Sequence, residues 1–151
     1  MGILKSVPKL KKEALEVFGK YIRLRDAWRT VGSAEYCHCC TCGAIKSPKE
    51  MHAGHFIDSR HSPTLFDETN VHAQCPRCNL FLNGNILEYR RQILRRYGEG
   101  YDVQLEQKGL GIKKFTRDEL IDLKEFYRKK LKELESGDPV RIADIIAIHM
   151  D

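Results

Sequence analysis

The stretch NVHAQCPRCN, residues 70–79, sets the framework of this protein because it ends in a C-x-x-C pair that a polar residue follows at once. An earlier C-x-x-C pair, Cys39 and Cys42, is followed by Gly43. Two such pairs in a chain without a secretion signal are typical of a tetrahedral zinc site, to which each pair supplies two thiolates. The sequence therefore predicts one structural Zn²⁺ bound by Cys39, Cys42, Cys75 and Cys78.

Two further cysteines leave an alternative for the first pair. Cys37 and Cys40 also have C-x-x-C spacing, so they compete with Cys39 and Cys42 for the metal ion. The glycine after Cys42 favours the 39/42 pairing, because the turn of a zinc knuckle often needs a residue without a side chain. In that pairing the other two cysteines are spare thiols. Disulfides are disfavoured because the cysteines cluster and no secretion signal precedes them.

The composition is that of an ordinary globular protein. The chain has 151 residues, of which 42% are hydrophobic and 31% charged, and its formal net charge is +5. A chain of this length buries enough apolar surface to fold as one domain, over residues 1–151, without disulfides. No apolar run approaches the roughly 18 residues of a membrane span, so we expect no membrane contact.

Helices are predicted on both sides of the cysteine-rich segment. Apolar residues recur there at steps of three and four, which is the helical period. Thr116 and Glu119 form a capping box, and Asn85 with Glu88 resembles one. We predict an α+β fold in which a zinc-stapled core over residues 37–98 lies between helical flanks. The predicted elements are helices at 8–29, 86–97, 116–135 and 138–150 and short strands at 52–57 and 69–75, whereas 99–115 is Gly-rich and shows no clear pattern.

Polar residues between the two cysteine pairs suit the hydrolysis of a phosphodiester. His55 ends the first predicted strand, Asn70 lies on the second, and Asn79 directly follows the last cysteine. This is the layout of an HNH, or ββα-metal, nuclease site. Hydrolysis needs a base that accepts a proton near neutral pH, which histidine does, and a cation that neutralises the developing charge. The sequence therefore predicts a catalytic divalent cation, Mg²⁺ or Mn²⁺, in addition to zinc.

The sequence resembles the phage lambda NinG family, the Rap recombination proteins, over residues 10–135. It also resembles phage endonuclease VII, a junction resolvase whose zinc knuckle likewise ends in C-x-x-C-N. The resemblance implies metal-dependent cleavage of branched DNA, such as Holliday junctions and D-loops, during phage recombination in the bacterial cytoplasm. The matching segments are C-x-x-C-G at 39–43, A-G-H at 53–55, N-x-H-x-Q-C-x-x-C-N at 70–79 and G-N-x-x-x-Y-R at 84–90.

The resemblance also implies roles for single residues. His55 corresponds to the base, Asn79 to a ligand of the catalytic metal ion, and Asn70 to the residue that braces His55. Both relatives carry Asp three residues before the base, where this chain has His52. A regular strand places residues 52 and 55 on opposite faces, so His52 joins the site if Gly54 forms a bulge. A nitrogen ligand would favour Mn²⁺ over Mg²⁺.

Basic residues follow the predicted site directly. They form either an ordinary solvated helix face or a set of phosphate contacts, and their position favours phosphate contacts. His72 is a phosphate contact, a support for the site or a strand-face residue, and Asn83 is either a reserve ligand or part of a turn. No base-reading motif is visible, which agrees with recognition of DNA shape. The predicted DNA-binding residues are His72, Arg90, Arg91, Arg95 and Arg96.

Two other functions remain open at this point. One is a nicking HNH endonuclease without preference for junctions, and the other is a zinc-ribbon protein that binds DNA without cutting it. Resolving a junction takes two cuts, so a junction-cutting chain with one site should act as a two-fold homodimer. The candidate contacts are the helix at 116–135 or the apolar tail with Ile142, Ile145 and Ile146.

Overall fold

The computed structural model describes residues 4–147 and confirms an α+β fold with small sheets. Within this range, two antiparallel strand pairs lie among five α-helices. Single turns of 3₁₀-helix span Pro48–Glu50 and Ser62–Thr64, and a π-turn spans Arg77–Phe81. No helix within the described range is both long and apolar enough to span a bilayer. The elements are α1 (Val7–Thr30), β1 (Cys37–His38), β2 (Ile45–Lys46), β3 (His52–His55), β4 (Val71–Gln74), α2 (Ile86–Tyr97), α3 (Tyr101–Gly109), α4 (Arg117–Glu135) and α5 (Pro139–Ile146).

Helix α1 organises the main core. The Ser6 hydroxyl accepts a hydrogen bond from the Lys9 N–H at 3.3 Å, and Pro8 stands in the first turn, where its missing N–H costs nothing. The buried stripe of α1 meets α4 through aromatic rings: Phe18 and Tyr127 pack edge to face, with their centroids 4.7 Å apart. The residues of this stripe are Leu10, Ala14, Phe18, Tyr21 and Ile22.

A buried ion pair on α1 fixes the helix against strand β4. The Asp26 carboxylate accepts a hydrogen bond from the Ala73 N–H at 2.7 Å, and Arg25 donates to the Val71 carbonyl at 2.8 Å. Both side chains are buried. Although burial disfavours the carboxylate, the Arg25 guanidinium holds the pKa of Asp26 well below its usual range. The ion pair thus satisfies the backbone groups on the free edge of β4, which positions the cysteine-rich segment.

Helix α2 begins at Ile86, as the sequence predicts, but without the predicted cap. Asn85 has φ 48° and makes no capping hydrogen bond, so the predicted capping box with Glu88 is wrong. The Asn85 amide instead donates to the Cys78 sulfur at 3.6 Å. Tyr89 and Ile93 form the buried face of α2. The capping box at Thr116 and Glu119, in contrast, is present at the start of α4.

Helix α3 lies in the segment where the sequence shows no clear pattern. Leu105 is the large apolar residue that this helix buries, and one such residue does not make a periodic stripe. It is held from outside, because the Arg90 side chain on α2 forms ion pairs with Asp102 and Glu106. The helix therefore depends on tertiary contacts rather than on its own hydrophobic pattern.

Helix α5 packs back onto its own chain. Asp138 caps its first turn, and Ile142 and Ile145 are buried in the core formed with α1 and α4. These two side chains are therefore not free for contact between subunits, which corrects the expectation for Ile142 and Ile145, and Ile146 packs partly against the same core. Residues 148–150 of the predicted helix lie outside the described range.

Candidate functional site

Four thiols converge between strands β1 and β4 and the π-turn. Their sulfur atoms all lie within 4.8 Å of one another, and those of Cys42 and Cys75 are 3.6 Å apart. A tetrahedral zinc ion with Zn–S bonds of about 2.3 Å separates its sulfurs by roughly 3.8 Å. The cluster thus has the size and the ligand type for a metal ion such as zinc, and the 39/42 pairing is confirmed. Its members are Cys39, Cys42, Cys75 and Cys78.

The local backbone prepares these thiols for a cation. Gly43 adopts φ 77°, which lets its N–H donate to the Cys39 carbonyl at 3.0 Å and closes the first knuckle. The Cys78 N–H points at the Cys75 sulfur at 3.5 Å in the second knuckle. Although burial disfavours the thiolate, hydrogen bonds from the Cys42 backbone and the Thr41 side chain lower the pKa of Cys39 to about 6. Burial raises the pKa of Cys42 to about 12 and also raises that of Cys75, so Cys39 becomes a thiolate more readily than these two.

The two spare cysteines lie in the core outside this cluster. Burial raises the pKa of Cys37 to about 12 and that of Cys40 well above its ordinary value. Cys37 packs with Met51, and Cys40 packs near Phe56 in a separate apolar cluster. Both behave as small apolar side chains.

His55 stands at the end of β3 and is anchored by the loop that follows. Its Nε2–H donates to the Leu65 carbonyl at 3.0 Å. Burial lowers the pKa of the ring below its ordinary value of 6.5. A neutral imidazole that donates from Nε2 keeps its lone pair on Nδ1. His55 therefore combines a fixed ring with a nitrogen that can accept a proton.

Asn70 supports this arrangement indirectly. The side chain is fully buried just before β4, where its Oδ1 accepts from the Ile57 N–H at 2.7 Å. Its Nδ2 donates to the carbonyls of Ile57 and Thr64 at 3.0 and 3.1 Å. Because its hydrogen bonds go to the loop and not to His55, Asn70 is a positioning residue rather than a catalytic one. It fixes the backbone that leads to Leu65, which in turn orients His55.

His52 and Asn79 meet beside the same site. The Nδ1 atom of His52 lies 3.0 Å from Nδ2 of Asn79, and both Asn79 and His55 line an open cavity of about 700 Å³. The strands pair residue for residue, with Gly54 opposite His72, so the expected bulge is absent from β3. Asn79 contacts His52 and lines the cavity with His55, whereas His52 itself is not among the residues that line this cavity. Asn83 lines the cavity as well.

Gly54 has a different purpose from the one predicted. A Cβ at this position would lie 2.1 Å from Oε1 of Gln74, which is fully buried. The Gln74 amide donates to the Thr41 hydroxyl at 3.2 Å and to the Gly84 carbonyl at 2.7 Å. Gln74 thus joins the first zinc knuckle to the turn after Asn79. Sequence reasoning did not single it out, although it stands directly before the second cysteine pair.

His72 is not a surface residue. It is fully buried, and its Nδ1 and Nε2 lie 3.0 and 2.7 Å from the hydroxyls of Tyr89 and Tyr97. Burial lowers its pKa well below the ordinary value, so the ring is neutral. The interpretation of His72 as a phosphate contact is therefore wrong, and it is a core residue that joins β4 to α2.

The arginines of α2 divide into separate groups. Arg90 is bound by Asp102 and Glu106 on α3, and its guanidinium lies 5.2 Å from the ring centre of Phe56. Its role in the fold is thus to join two helices, contrary to the prediction of a phosphate contact. Arg96 is half-buried.

Arg91 and Arg95 differ from these two arginines because they are exposed. Arg91 pairs with Glu88 at 2.8 Å, one turn earlier on the same helix. An exposed ion pair of this kind contributes little to stability and is easily exchanged for another partner. Arg91 and Arg95 are therefore the two of the four arginines whose charges reach the surface most fully.

Comparison with known proteins places these features in a group of phage proteins. A family model described as Bacteriophage Lambda NinG protein matches residues 2–137. The ninG proteins of Salmonella phage P22, Escherichia phage 933W and Escherichia phage lambda are 32%, 31% and 30% identical to the chain over 127 residues. Each match covers 83% of this chain but 58% of the first two relatives and 57% of the third, so the chain spans little more than half of their length. No solved structure matches.

Proposed function

The chain belongs to the bacteriophage lambda NinG protein family, and from this premise we propose that it is a metal-dependent endonuclease for branched DNA intermediates of recombination. The observation that supports the proposal is the placement of His55, whose ring is fixed by the Leu65 carbonyl at the edge of a cavity shared with Asn79. A fixed neutral imidazole that lines an open cavity can activate a water molecule held there.

In the proposed reaction, His55 removes a proton from a water molecule through Nδ1 as the water attacks phosphorus. The P–O3′ bond breaks, the leaving oxygen takes a proton from solvent, and the products are a 5′-phosphate and a 3′-hydroxyl. The hydrogen bond to Leu65 prevents the ring from turning, and it also stabilises the imidazolium that forms. Asn70 keeps that carbonyl in place through the loop.

Two side chains offer ligands for a catalytic cation. The His52 ring and the Asn79 amide are 3.0 Å apart, so both reach one ion if the amide presents its oxygen. When bound, a divalent cation neutralises charge on the phosphate and on the leaving oxygen. The donor set of one imidazole nitrogen and one amide oxygen fits Mn²⁺ better than Mg²⁺, which prefers oxygen. The four thiols fit Zn²⁺ in a purely structural role.

The exposed arginines of α2 bear on which form of DNA the protein would bind. Exposed Arg91 and Arg95 on α2 suit phosphate contacts, which carry no sequence information. The proposed recognition is therefore of DNA form. A junction also needs two cuts, and we include a homodimer in the proposal; the exposed Ile121 and Phe126 on α4 are candidate contacts, now that the α5 side chains are accounted for. A monomer by light scattering on a four-way junction would contradict the dimer.

A non-catalytic DNA-binding protein is the second candidate, and one observation favours it. Among the described residues, the four thiols are the one group of three or more His, Cys, Asp or Glu side chains placed to share an ion. A cation at His52 and Asn79 would thus have just two protein ligands, fewer than most catalytic sites supply.

Nicking of supercoiled plasmid with Mn²⁺ separates the two candidates. The endonuclease proposal predicts that wild type nicks the plasmid and that His55→Ala is slower by roughly 10²–10⁴-fold, since a base contributes about that much. His38→Ala is a matched control, because the His38 ring also bonds a backbone carbonyl, that of Gly43 at 3.2 Å, but does not line the cavity. Absence of nicking by wild type would favour the binding protein, whereas equal nicking by wild type and His55→Ala would contradict the role of His55 as the base.

A further inference from the structure

Three large apolar side chains protrude beside the candidate site. Leu80, Phe81 and Leu82, called the apolar turn below, are 58%, 81% and 40% exposed. Neighbouring apolar residues that stay in solvent usually mark a surface that contacts another molecule. The apolar turn lies between Asn79 and Asn83, which both line the cavity with His55. Any molecule whose reacting group lies in that cavity is therefore next to the apolar turn.

The backbone holds the apolar turn in this exposed position. It closes the π-turn, with the Leu82 N–H donating to the Arg77 carbonyl at 2.9 Å. The Gly84 N–H donates to the carbonyl of the zinc-cluster residue Cys78 at 2.8 Å. Since Gln74 also binds the Gly84 carbonyl at 2.7 Å, the turn is tied to the buried framework at both ends. The exposed side chains are thus presented by a fixed loop.

The three residues after the apolar turn share an unusual backbone conformation. Asn83, Gly84 and Asn85 have φ angles of 50°, 89° and 48°, all in the left-handed region. Asparagine adopts this region more readily than most residues with a side chain, because its short amide can form local hydrogen bonds. These three residues connect the apolar turn to the start of α2 at Ile86, which lines the cavity. Positively charged Arg77 at the start of the π-turn is exposed and suits a nearby phosphate.

We propose that the apolar turn inserts at the branch point of DNA and replaces base stacking that the branch has lost. This inference rests on the proposed endonuclease function. In linear duplex the base faces are covered by their neighbours, whereas at a branch point stacking is interrupted and a face is open to an aromatic ring. Proteins that distort duplexes use Phe and Leu side chains in this way. The apolar turn would thus give the site its preference for branched DNA.

A second copy of the chain is the competing occupant, and the size of the patch argues against it. Stable dimers bury about 800 Å² per partner, which is more than three side chains on one turn supply. Exposed Arg77, at the start of the same π-turn, suits the phosphates of a nucleic acid better than an apolar protein surface. The apolar turn therefore fits the branch point of a DNA substrate.

Binding measurements without cleavage test this inference. We would compare a four-way junction with a linear duplex of the same sequence, by fluorescence anisotropy in buffer without chelator, Mg²⁺ or Mn²⁺. Phe81→Ala should weaken junction binding about tenfold more than duplex binding, which lies within the range measured for loss of one aromatic–base stack. Phe81→Tyr should retain the preference. Ile112→Ala, at a 92% exposed apolar residue between α3 and α4, should leave both affinities unchanged.

Other results would overturn the inference. Equal weakening of junction and duplex binding by Phe81→Ala would show that the ring supports the DNA surface in general. A lower molar mass for Phe81→Ala than for wild type in light scattering would identify the apolar turn as a contact between subunits. Equal affinity of wild type for both DNA forms would remove the preference that the turn is proposed to explain. Wild type that prefers junctions yet cuts no DNA would contradict the endonuclease function alone, and the Phe81 comparison would still decide this inference.

Discussion

Replacing Gly54 by alanine tests the packing of the strand that carries both histidines. An added Cβ would lie 2.1 Å from Oε1 of Gln74 and 2.9 Å from its Cβ. The Gln74 side chain cannot move aside easily, because it is buried and its amide binds the Gly84 carbonyl at 2.7 Å. Inserting a methyl group into such a place costs about 1–3 kcal/mol. We expect Gly54→Ala to lower the free energy of unfolding by that amount.

A double-mutant cycle identifies the cause of this loss. Gln74→Ala alone leaves the Gly84 carbonyl without its partner, which costs about 1–3 kcal/mol. In the double variant the clashing oxygen is gone, although a 2.9 Å contact between the two Cβ atoms must still relax. The combined cost should therefore be smaller than the sum of the single costs, by about 1–2 kcal/mol.

Urea unfolding of the four proteins in zinc-containing buffer measures this difference. Gly19→Ala, inside helix α1, serves as the control. A Cβ at Gly19 would lie 3.5 Å from the Cβ of Ala53, which is an ordinary van der Waals distance. It should raise stability by about 0.5–1 kcal/mol, since alanine is the better helix former. Additive costs at positions 54 and 74 would refute the reasoning, as would a neutral Gly54→Ala.

Three further predictions concern the framework. Asp26→Ala should cost about 3 kcal/mol in urea unfolding, at the low end for breaking a buried pair, because the Arg25 guanidinium keeps the Glu68 carboxylate at 3.6 Å. A cost below about 1 kcal/mol would mean that the Arg25–Asp26 ion pair is dispensable. Because burial holds the pKa of His72 well below 6.5, the unfolded chain binds a proton that the folded chain does not. The free energy of unfolding should therefore fall as the pH drops below about 6.5, and His72 contributes up to about 1.4 kcal/mol per pH unit to this slope. His55, whose pKa burial also lowers, adds to it, so His72→Gln should reduce the slope between about pH 7.5 and 5.5 without removing it. Cys75→Ser should abolish tight zinc binding in metal analysis whereas Cys37→Ser retains about one zinc per chain, and equal zinc contents would contradict the assigned cluster.

The sequence predicted the structure best where a shared metal ion or the helical repeat of apolar residues dictates the spacing. The four thiols of one metal site must meet, so the spacing and Gly43 were enough to select Cys39 and Cys42 over Cys37 and Cys40. Long amphipathic helices are equally readable, since α1 and α4 each carry a repeated apolar stripe. His52 and Asn79 lie 3.0 Å apart, although the Gly54 bulge on which the sequence made the place of His52 in the site depend is absent.

The remaining features depend on contacts between distant residues. Helix α3 has no apolar stripe that the sequence could reveal, and it is joined to α2 by the ion pairs of Arg90 with Asp102 and Glu106. The same ion pairs occupy Arg90, which was predicted to contact DNA. His72 has no local signal of burial, since the two tyrosines that enclose it lie on α2. Gly54 suggested a bulge by residue type alone, whereas its true constraint is Gln74 on the neighbouring strand.

Cleavage of a synthetic four-way junction, with cut positions and ends mapped on all four strands, tests the proposed function most directly. With Mn²⁺ present, we predict cuts in two opposed strands that leave 5′-phosphate and 3′-hydroxyl ends. His55→Ala should still bind the junction but cut it roughly 10²–10⁴-fold more slowly in single turnover. Intact junction after incubation with zinc-loaded wild type, or the same cutting rate for His55→Ala, would contradict the account.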